Sequence, residues 1–124
     1  MKANIKDLTG GQLDWAVGQA AGMQGLYIAK HSYLKTLYCA KGLDFCGTEW
    51  LFDPSTNWVH GGPIIEQEKI CLEYSWFYGE LGQGWEARDN RAGYARGNTP
   101  LIAAMKCYIR SKLGDEVEIP EEVK

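Results

Sequence analysis

The segment from Asn98 to Gly114 constrains this chain more than any other. Thr99 carries a hydroxyl that can accept an unpaired N–H of a first helical turn. Pro100 follows at the first helical position, where its missing N–H costs nothing. Leu101, Ile102, Met105, Tyr108, Ile109 and Leu113 recur at helical spacing and predict one apolar stripe. Arg110 and Lys112 fall where positive charge suits the carbonyl end of the helix, and Gly114 can take a left-handed stop. Start, stripe and stop agree on a long helix built to enter a core.

A helix of that kind needs other elements to cover it, and 124 residues suffice for one domain with a real core. An earlier helix is predicted from Leu8-Thr9-Gly10-Gly11-Gln12-Leu13. Thr9 and Gln12 fit a capping box, Leu8 and Leu13 the hydrophobic staple around it. Leu13, Ala16, Val17 and Ala20 give a narrow apolar face, and Gly22 can end the helix. Trp15 points away from that face. Either another layer covers it or it meets a ligand or partner.

Leu26-Tyr27-Ile28-Ala29 and Leu34 to Cys39 read as two short strands joined by a turn at Lys30 to Tyr33. Lys30, Lys35 and Lys41 interleave with Tyr27, Tyr33 and Tyr38, which suits the open face of a hairpin better than a single-strand nucleic-acid groove. Glu49 to Phe52 reads as a strand, and Asp53-Pro54-Ser55-Thr56-Asn57 has strong turn chemistry. Trp58 to Glu66 reads as a loop, because Gly61, Gly62 and Pro63 allow close backbone approach and then stiffen the exit.

Ile70 to Tyr78 alternates as a strand, with Ile70, Leu72, Tyr74 and Trp76 on one face. A glycine-rich turn over 79–84 returns the chain through Trp85 to Arg88, and a polar loop leads on to the long helix. The expected fold is α+β: a small antiparallel sheet with an N-terminal helix and a long C-terminal helix packed on it. The chain reads as a single domain, 1–124, with 113–124 an extended acidic tail in which Val117 and Ile119 can still pack.

A net charge of -3 argues against a dedicated double-stranded nucleic-acid binder. No apolar run reaches membrane-spanning length and the first residues lack a signal-peptide core, so a cytosolic protein is expected. In that compartment Cys39, Cys46, Cys71 and Cys107 read as buried thiols rather than bridges. No metal-ligand spacing, phosphate loop or nucleophile elbow is present, and the sequence calls for no cofactor. His31 and His60 are the only imidazoles, and neither sits in triad spacing. Glu66 and Glu68 offer acid–base chemistry that surface glutamates also explain.

Arginine placement is more informative. Arg88, Arg91 and Arg96 lie with Tyr94 in one short stretch that runs into the start of the long helix. Guanidinium forks and a helix N-terminus both recognise phosphate or carboxylate, so these residues with Asn98 and Thr99 can form an anion pocket. The alternative is a solvated basic loop.

Four stretches stand out as motifs: Leu8-Thr9-Gly10 with Leu13-Asp14-Trp15-Ala16-Val17; Ser55-Thr56-Asn57-Trp58 with Gly61-Gly62-Pro63-Ile64-Ile65-Glu66; Trp85-Glu86-Ala87; and Thr99 to Met105 with Cys107-Tyr108 and Ser111 to Val117. Together they resemble the NinX family of tailed-bacteriophage proteins. Residues 23–50 resemble the family least, and Asn98 stands where a second proline or similar turn residue is expected. The resemblance implies a phage or prophage accessory product of the host bacterial cytoplasm and carries over no catalytic residues.

Together these readings favour a non-catalytic binder of a small anionic, nucleotide-derived ligand, with sequestration of a host immune signal as its use. Trp15, Trp58, His60, Gly61, Gly62 and Trp85 join Arg88, Arg91, Tyr94, Arg96, Asn98 and Thr99 as expected ligand-binding residues. One alternative is an interaction module that docks a host or phage protein, or another copy of itself, through aromatic surface. A third is a small hydrolase using Glu66 or His60.

Overall fold

The structure, a computed structural model, describes residues 2–22, 26–28, 37–39, 50–77, 82–91, 93–121 and 123. In chain order the elements are β1 (Lys2–Asn4), a 3-10 turn (Ile5–Asp7), α1 (Gly10–Ala20), β2 (Leu26–Ile28), β3 (Leu37–Cys39) and β4 (Trp50–Leu51). After them come α2 (Trp58–Glu68), β5 (Cys71–Phe77), β6 (Gly82–Arg88), β7 (Tyr94–Gly97), α3 (Pro100–Leu113) and β8 (Glu116–Glu118). Among the described residues the strands form three small antiparallel sheets, ordered β1-β8, β2-β3-β4 and β5-β6-β7.

The organising helix is α3, as its caps predict. Thr99 Oγ1 accepts the Ile102 N–H at 3.1 Å, Pro100 opens the helix, and the Gly114 N–H donates to the Arg110 carbonyl at 3.1 Å. Gly114 has φ +92° but ψ -162°, so it leaves the helix with positive φ without entering the left-handed helical well. Burial exceeds the expected stripe: Ala103, Ala104 and Cys107 are buried along with Met105, Tyr108 and Ile109. The helix is covered from two directions, by β6 and β7 on one side and α1 on another, and small residues let both approach. Met105 and Ile109 are fully buried, each contributing about 1.5–3 kcal/mol. Leu113 departs from the expected stripe at 42% exposure, because the chain turns away immediately after it.

On the sheet side the inner row is Leu72, Ala87 and Ala95, with Tyr74, Trp85 and Gly97 in the next register. A Cβ at Gly97 would stand 2.8 Å from the Ala103 nitrogen and 2.8 Å from Ile102 Cγ2, so glycine sets how closely β7 meets α3. Ile70 and Leu72 face the core as expected, while Tyr74 is 54% exposed and packs edge-on against Trp85 with ring centroids 5.3 Å apart. The expected place of Trp76 lies outside the described side chains. Strand β7 replaces part of the expected polar loop. The turn expected over 79–84 lies largely outside the described residues, and Gly82 already pairs with Phe77.

Helix α1 packs chiefly on α3, burying Leu13, Ala16 and Val17. Leu8 and Leu13 are both buried as the staple predicts, and Gly22 follows the helix with φ +70°. The capping box does not form: Thr9 makes no side-chain cap bond, and Gln12 Nε2 instead reaches the Val123 carbonyl at 3.5 Å. Against the 3-10 turn, Lys106 is buried on α3 and donates from Nζ to the Lys6 carbonyl at 2.9 Å. Strand β8 pairs with β1 from Lys2↔Glu118 to Asn4↔Glu116, and Val117, Ile119 and Val123 all enter the core.

Strands β2 and β3 pair as the expected hairpin, and β4 adds to β3. The turn expected at 30–33, with His31, Lys30, Lys35, Lys41 and Tyr33, lies outside the described residues, as does Cys46. Among the described thiols, Cys107 is buried and burial pushes it up to about 12, whereas Cys71 is exposed, contrary to expectation.

Candidate functional site

The expected loop from Trp58 to Glu66 is instead the helix α2. Asn57 caps it, its Oδ1 accepting the Val59 N–H at 2.9 Å. Pro63 lies inside the helix, where it removes one donor, yet two features soften the cost. Gly62 before it has no Cβ to clash with the proline ring. The carbonyl that loses its donor belongs to Val59, a residue that is 72% exposed and open to water. The close approach inferred from Gly61 is real but internal. A Cβ there would stand 2.5 Å from the Pro54 carbonyl oxygen and 2.6 Å from Leu101 Cδ2, so Gly61 seats α2 on the preceding turn and on α3.

That turn, residues 53–57, is pinned at successive positions. Its own bonds run from the Thr56 and Asn57 N–H groups to the Asp53 carbonyl, at 3.1 and 2.9 Å. His60 Nδ1 lies 2.9 Å from Asp53 Oδ1 and 3.4 Å from the Asp53 nitrogen. One ring nitrogen cannot donate to the first and accept from the second, and the shorter carboxylate contact is the better bond. The imidazole also stacks on Phe52 with centroids 6.1 Å apart. From α1, Asp14 reaches over to accept the Ser55 N–H at 2.8 Å. Asp14 is only 6% exposed. Burial raises its carboxyl to about 6; bonds from Ser55 pull it down and the Asp53 charge adds a smaller upward push.

Against this turn lies a cleft of about 260 Å³. Ser55 and Thr56 form one wall, Trp58 at the first position of α2 another, and residues 99–102 at the start of α3 the third. Trp58 is 54% exposed. The starts of two helices therefore line the same cleft, each bringing the partial positive charge of its aligned peptide dipoles. The lining is otherwise mostly apolar.

Of the residues expected to bind a ligand, Trp58 and Thr99 line this cleft. Gly61 and Gly62 lie one turn further along α2, where Gly61 sets its seat, and His60 braces the turn. Asn98 is exposed just before Thr99. Trp15 is half-buried against the core, in keeping with a covering layer, and its Nε1 is buried with no hydrogen-bond partner among the described residues. Trp85 packs on the inner face of the sheet.

The arginines stand elsewhere. Arg88, Tyr94 and Arg96 occupy the outer face of the β5-β6-β7 sheet, across it from Trp85. Arg88 lies 3.6 Å from both Glu73 and Glu86, while Arg96 lies 3.9 Å from Glu86 and donates from Nε to the Tyr94 hydroxyl at 3.0 Å. Arg91 belongs to a tight turn in which Asp89 Oδ1 accepts the Arg91 and Gly93 N–H groups, both at 2.9 Å. Those bonds hold the Asp89 carboxyl below its ordinary range despite a desolvation push the other way. The Arg91 guanidinium meets Glu68 at 3.5 Å, and Glu68 also holds Lys112 at 3.3 Å. Each of the three guanidinium groups thus already faces a carboxylate.

Asp14 and Leu101 were not among the expected site residues. Asp14 left a signal: with Val17 and Gly18 it falls on one arc of the helix, so a charge sits in a row otherwise buried. Among the described residues, no helix is long and apolar enough to cross a membrane, and no three His, Cys, Asp or Glu side chains stand together as a metal site.

Fold and cleft together define a small α+β protein with one helix sandwiched at its centre and a shallow site at the starts of two helices. The family described as Bacteriophage P22, NinX matches residues 4–112, and the chain belongs to that family. No curated protein matches it. Asp14, Ser55, Trp58, Gly61, Thr99 and Leu101 all come from stretches that carry the NinX resemblance, and they meet around this one cleft.

Proposed function

We propose that this phage protein is a non-catalytic binder of a small anionic, nucleotide-derived ligand, and that its site is the cleft at the starts of α2 and α3. One observation carries the reading: two helix starts and a half-exposed indole line one cavity of about 260 Å³. An indole face takes a base by stacking, at roughly 1–3 kcal/mol per base. The helix starts favour an anion beside it. The phosphate role expected of Arg88, Arg91 and Arg96 passes to these helix ends, because the guanidinium groups are matched by glutamates. In the host cytoplasm such a protein would withdraw a signalling nucleotide from the cell's defences.

The test is native mass spectrometry of protein purified from bacteria, followed by titration with mononucleotides, cyclic nucleotides and ADP-ribose. Binding of a compound that returns chemically unchanged is the expected result. Return of an altered product would make the protein an enzyme, and silence towards the whole panel would overturn the reading.

A second reading rests on Trp58 and Val59, which stand exposed side by side on the first turn of α2 at 54% and 72%. Such a pair can anchor a host or phage protein, or another copy of the chain. Salt separates the two readings: anion capture weakens as ionic strength rises, and an aromatic contact changes little.

A further inference from the structure

We infer that Asp14 is a positioning residue for the cleft: from α1 its carboxylate holds the 53–57 turn through the Ser55 amide, and so sets where Trp58 stands relative to the start of α3. The inference rests on which contacts are local. The His60–Asp53 contact and the seat of Gly61 on the Pro54 carbonyl both tie the turn to α2, the element that directly follows it. Helix α2 itself meets α3 where Gly61 lies against Leu101, so through these contacts the turn reaches α3 only by way of the helix that follows it. The Asp14–Ser55 bond spans 41 residues and ties the turn to α1, which is itself packed on α3.

The chemistry suits a strut. The bond is short at 2.8 Å, buried and charge-assisted, and such bonds are about twice as strong as neutral ones. Its acceptor is also costly to the fold: a carboxyl held near 6 is ionised and desolvated at neutral pH. An apolar side chain at this place would spare that cost and leave the Ser55 N–H without its acceptor. A buried charge kept beside a cleft wall fits a role in shaping the wall better than one in stabilising the fold.

Hydrogen exchange of the full chain tests this with Asp14→Ala and Asp14→Asn. In Asp14→Ala, amides across 55–59 should exchange about tenfold faster or more, while those of 103–109 keep their protection. Asp14→Asn retains an acceptor for Ser55 and should restore slow exchange. Unchanged exchange at 55–59 in Asp14→Ala would overturn the inference. So would equal loosening of 55–59 and 103–109, the mark of a merely structural residue. The same variants are then titrated with AMP and ADP-ribose, an arm that rests on the ligand-binding reading. Asp14→Ala should weaken binding about tenfold and Asp14→Asn should recover most of it. If neither probe binds the parent protein, the functional reading loses these ligands while the exchange result still judges Asp14.

Discussion

The outer face of the β5-β6-β7 sheet and the cleft at the start of α3 are joined by a few residues of chain, yet they dispose of charge in opposite ways. The sheet face gathers Arg88 and Arg96 and matches them to Glu73 on the neighbouring strand and to Glu86 on the central one. Among the described residues, the lining of the cleft holds no arginine or lysine. Its positive potential comes from peptide groups at two helix starts, and these belong to no formal charge in the sequence. Counting basic residues therefore overstates the first region and misses the second. Side chains that can find a partner on the same surface do so, whereas a helix start keeps its polarity whatever its neighbours are.

The largest effect that would break this contrast is at Gly61. A side chain there collides with the Pro54 carbonyl and Leu101, so Gly61→Ala should lose about 3 kcal/mol in urea denaturation and open the cleft. An unaltered midpoint would mean that α2 does not seat as described.

Next comes Asp14. Its folded carboxyl titrates near 6, above its ordinary 3.8, so the folded state holds the proton more tightly than the unfolded chain. Stability from this group is therefore full below about pH 4 and is lost as pH rises through 6, by about 3 kcal/mol in total. Denaturation midpoints between pH 4 and 7 should show that decline, and Asp14→Asn should flatten it.

Trp58→Ala sharpens the comparison from the ligand side. Removing a half-exposed indole should leave the thermal midpoint nearly unchanged, yet cost nucleotide affinity by roughly 1–3 kcal/mol in calorimetry. Thr99→Ala should cost about 1 kcal/mol of stability by thermal melting, through loss of the bond to the Ile102 N–H. Smallest of all, Arg88→Ala should leave both the melting midpoint and nucleotide affinity where they were, since its side chain is 55% exposed. Loss of affinity there would return the anion site to the sheet face.

What the sequence made legible follows the same division. Helix α3 could be read to its ends because cap, proline and glycine are local signals, and α1 showed its staple for the same reason. Helix α2 was obscured because Gly61, Gly62 and Pro63 are breakers in isolation. Only contact with Pro54 and Leu101 explains the first glycine, and the relief of the proline ring explains the second. Asn57, which caps α2, looked like the end of a turn. Strand β7 escaped notice because its inward residues are Ala95 and Gly97, too small to make an apolar alternation against Tyr94 and Arg96. Trp58 and Thr99, which line the cleft, stand out in the sequence by motif and by cap. The partnership of Asp14 with Ser55 spans 41 residues, and no local pattern encodes it.

The pairing of β1 with β8 has a consequence for how the protein comes into being. Lys2 cannot meet Glu118 until more than a hundred intervening residues have been synthesised, which at ~5–20 residues per second takes about 6–23 s. Through that interval β1 waits without its partner, and the Ile5 N–H waits for the Asp115 carbonyl it meets at 2.9 Å. Closure is thus a late, long-range event, slow by the entropy of the loop it must shut. The sheet of β1 and β8 therefore forms only once β8 is free to turn back onto β1.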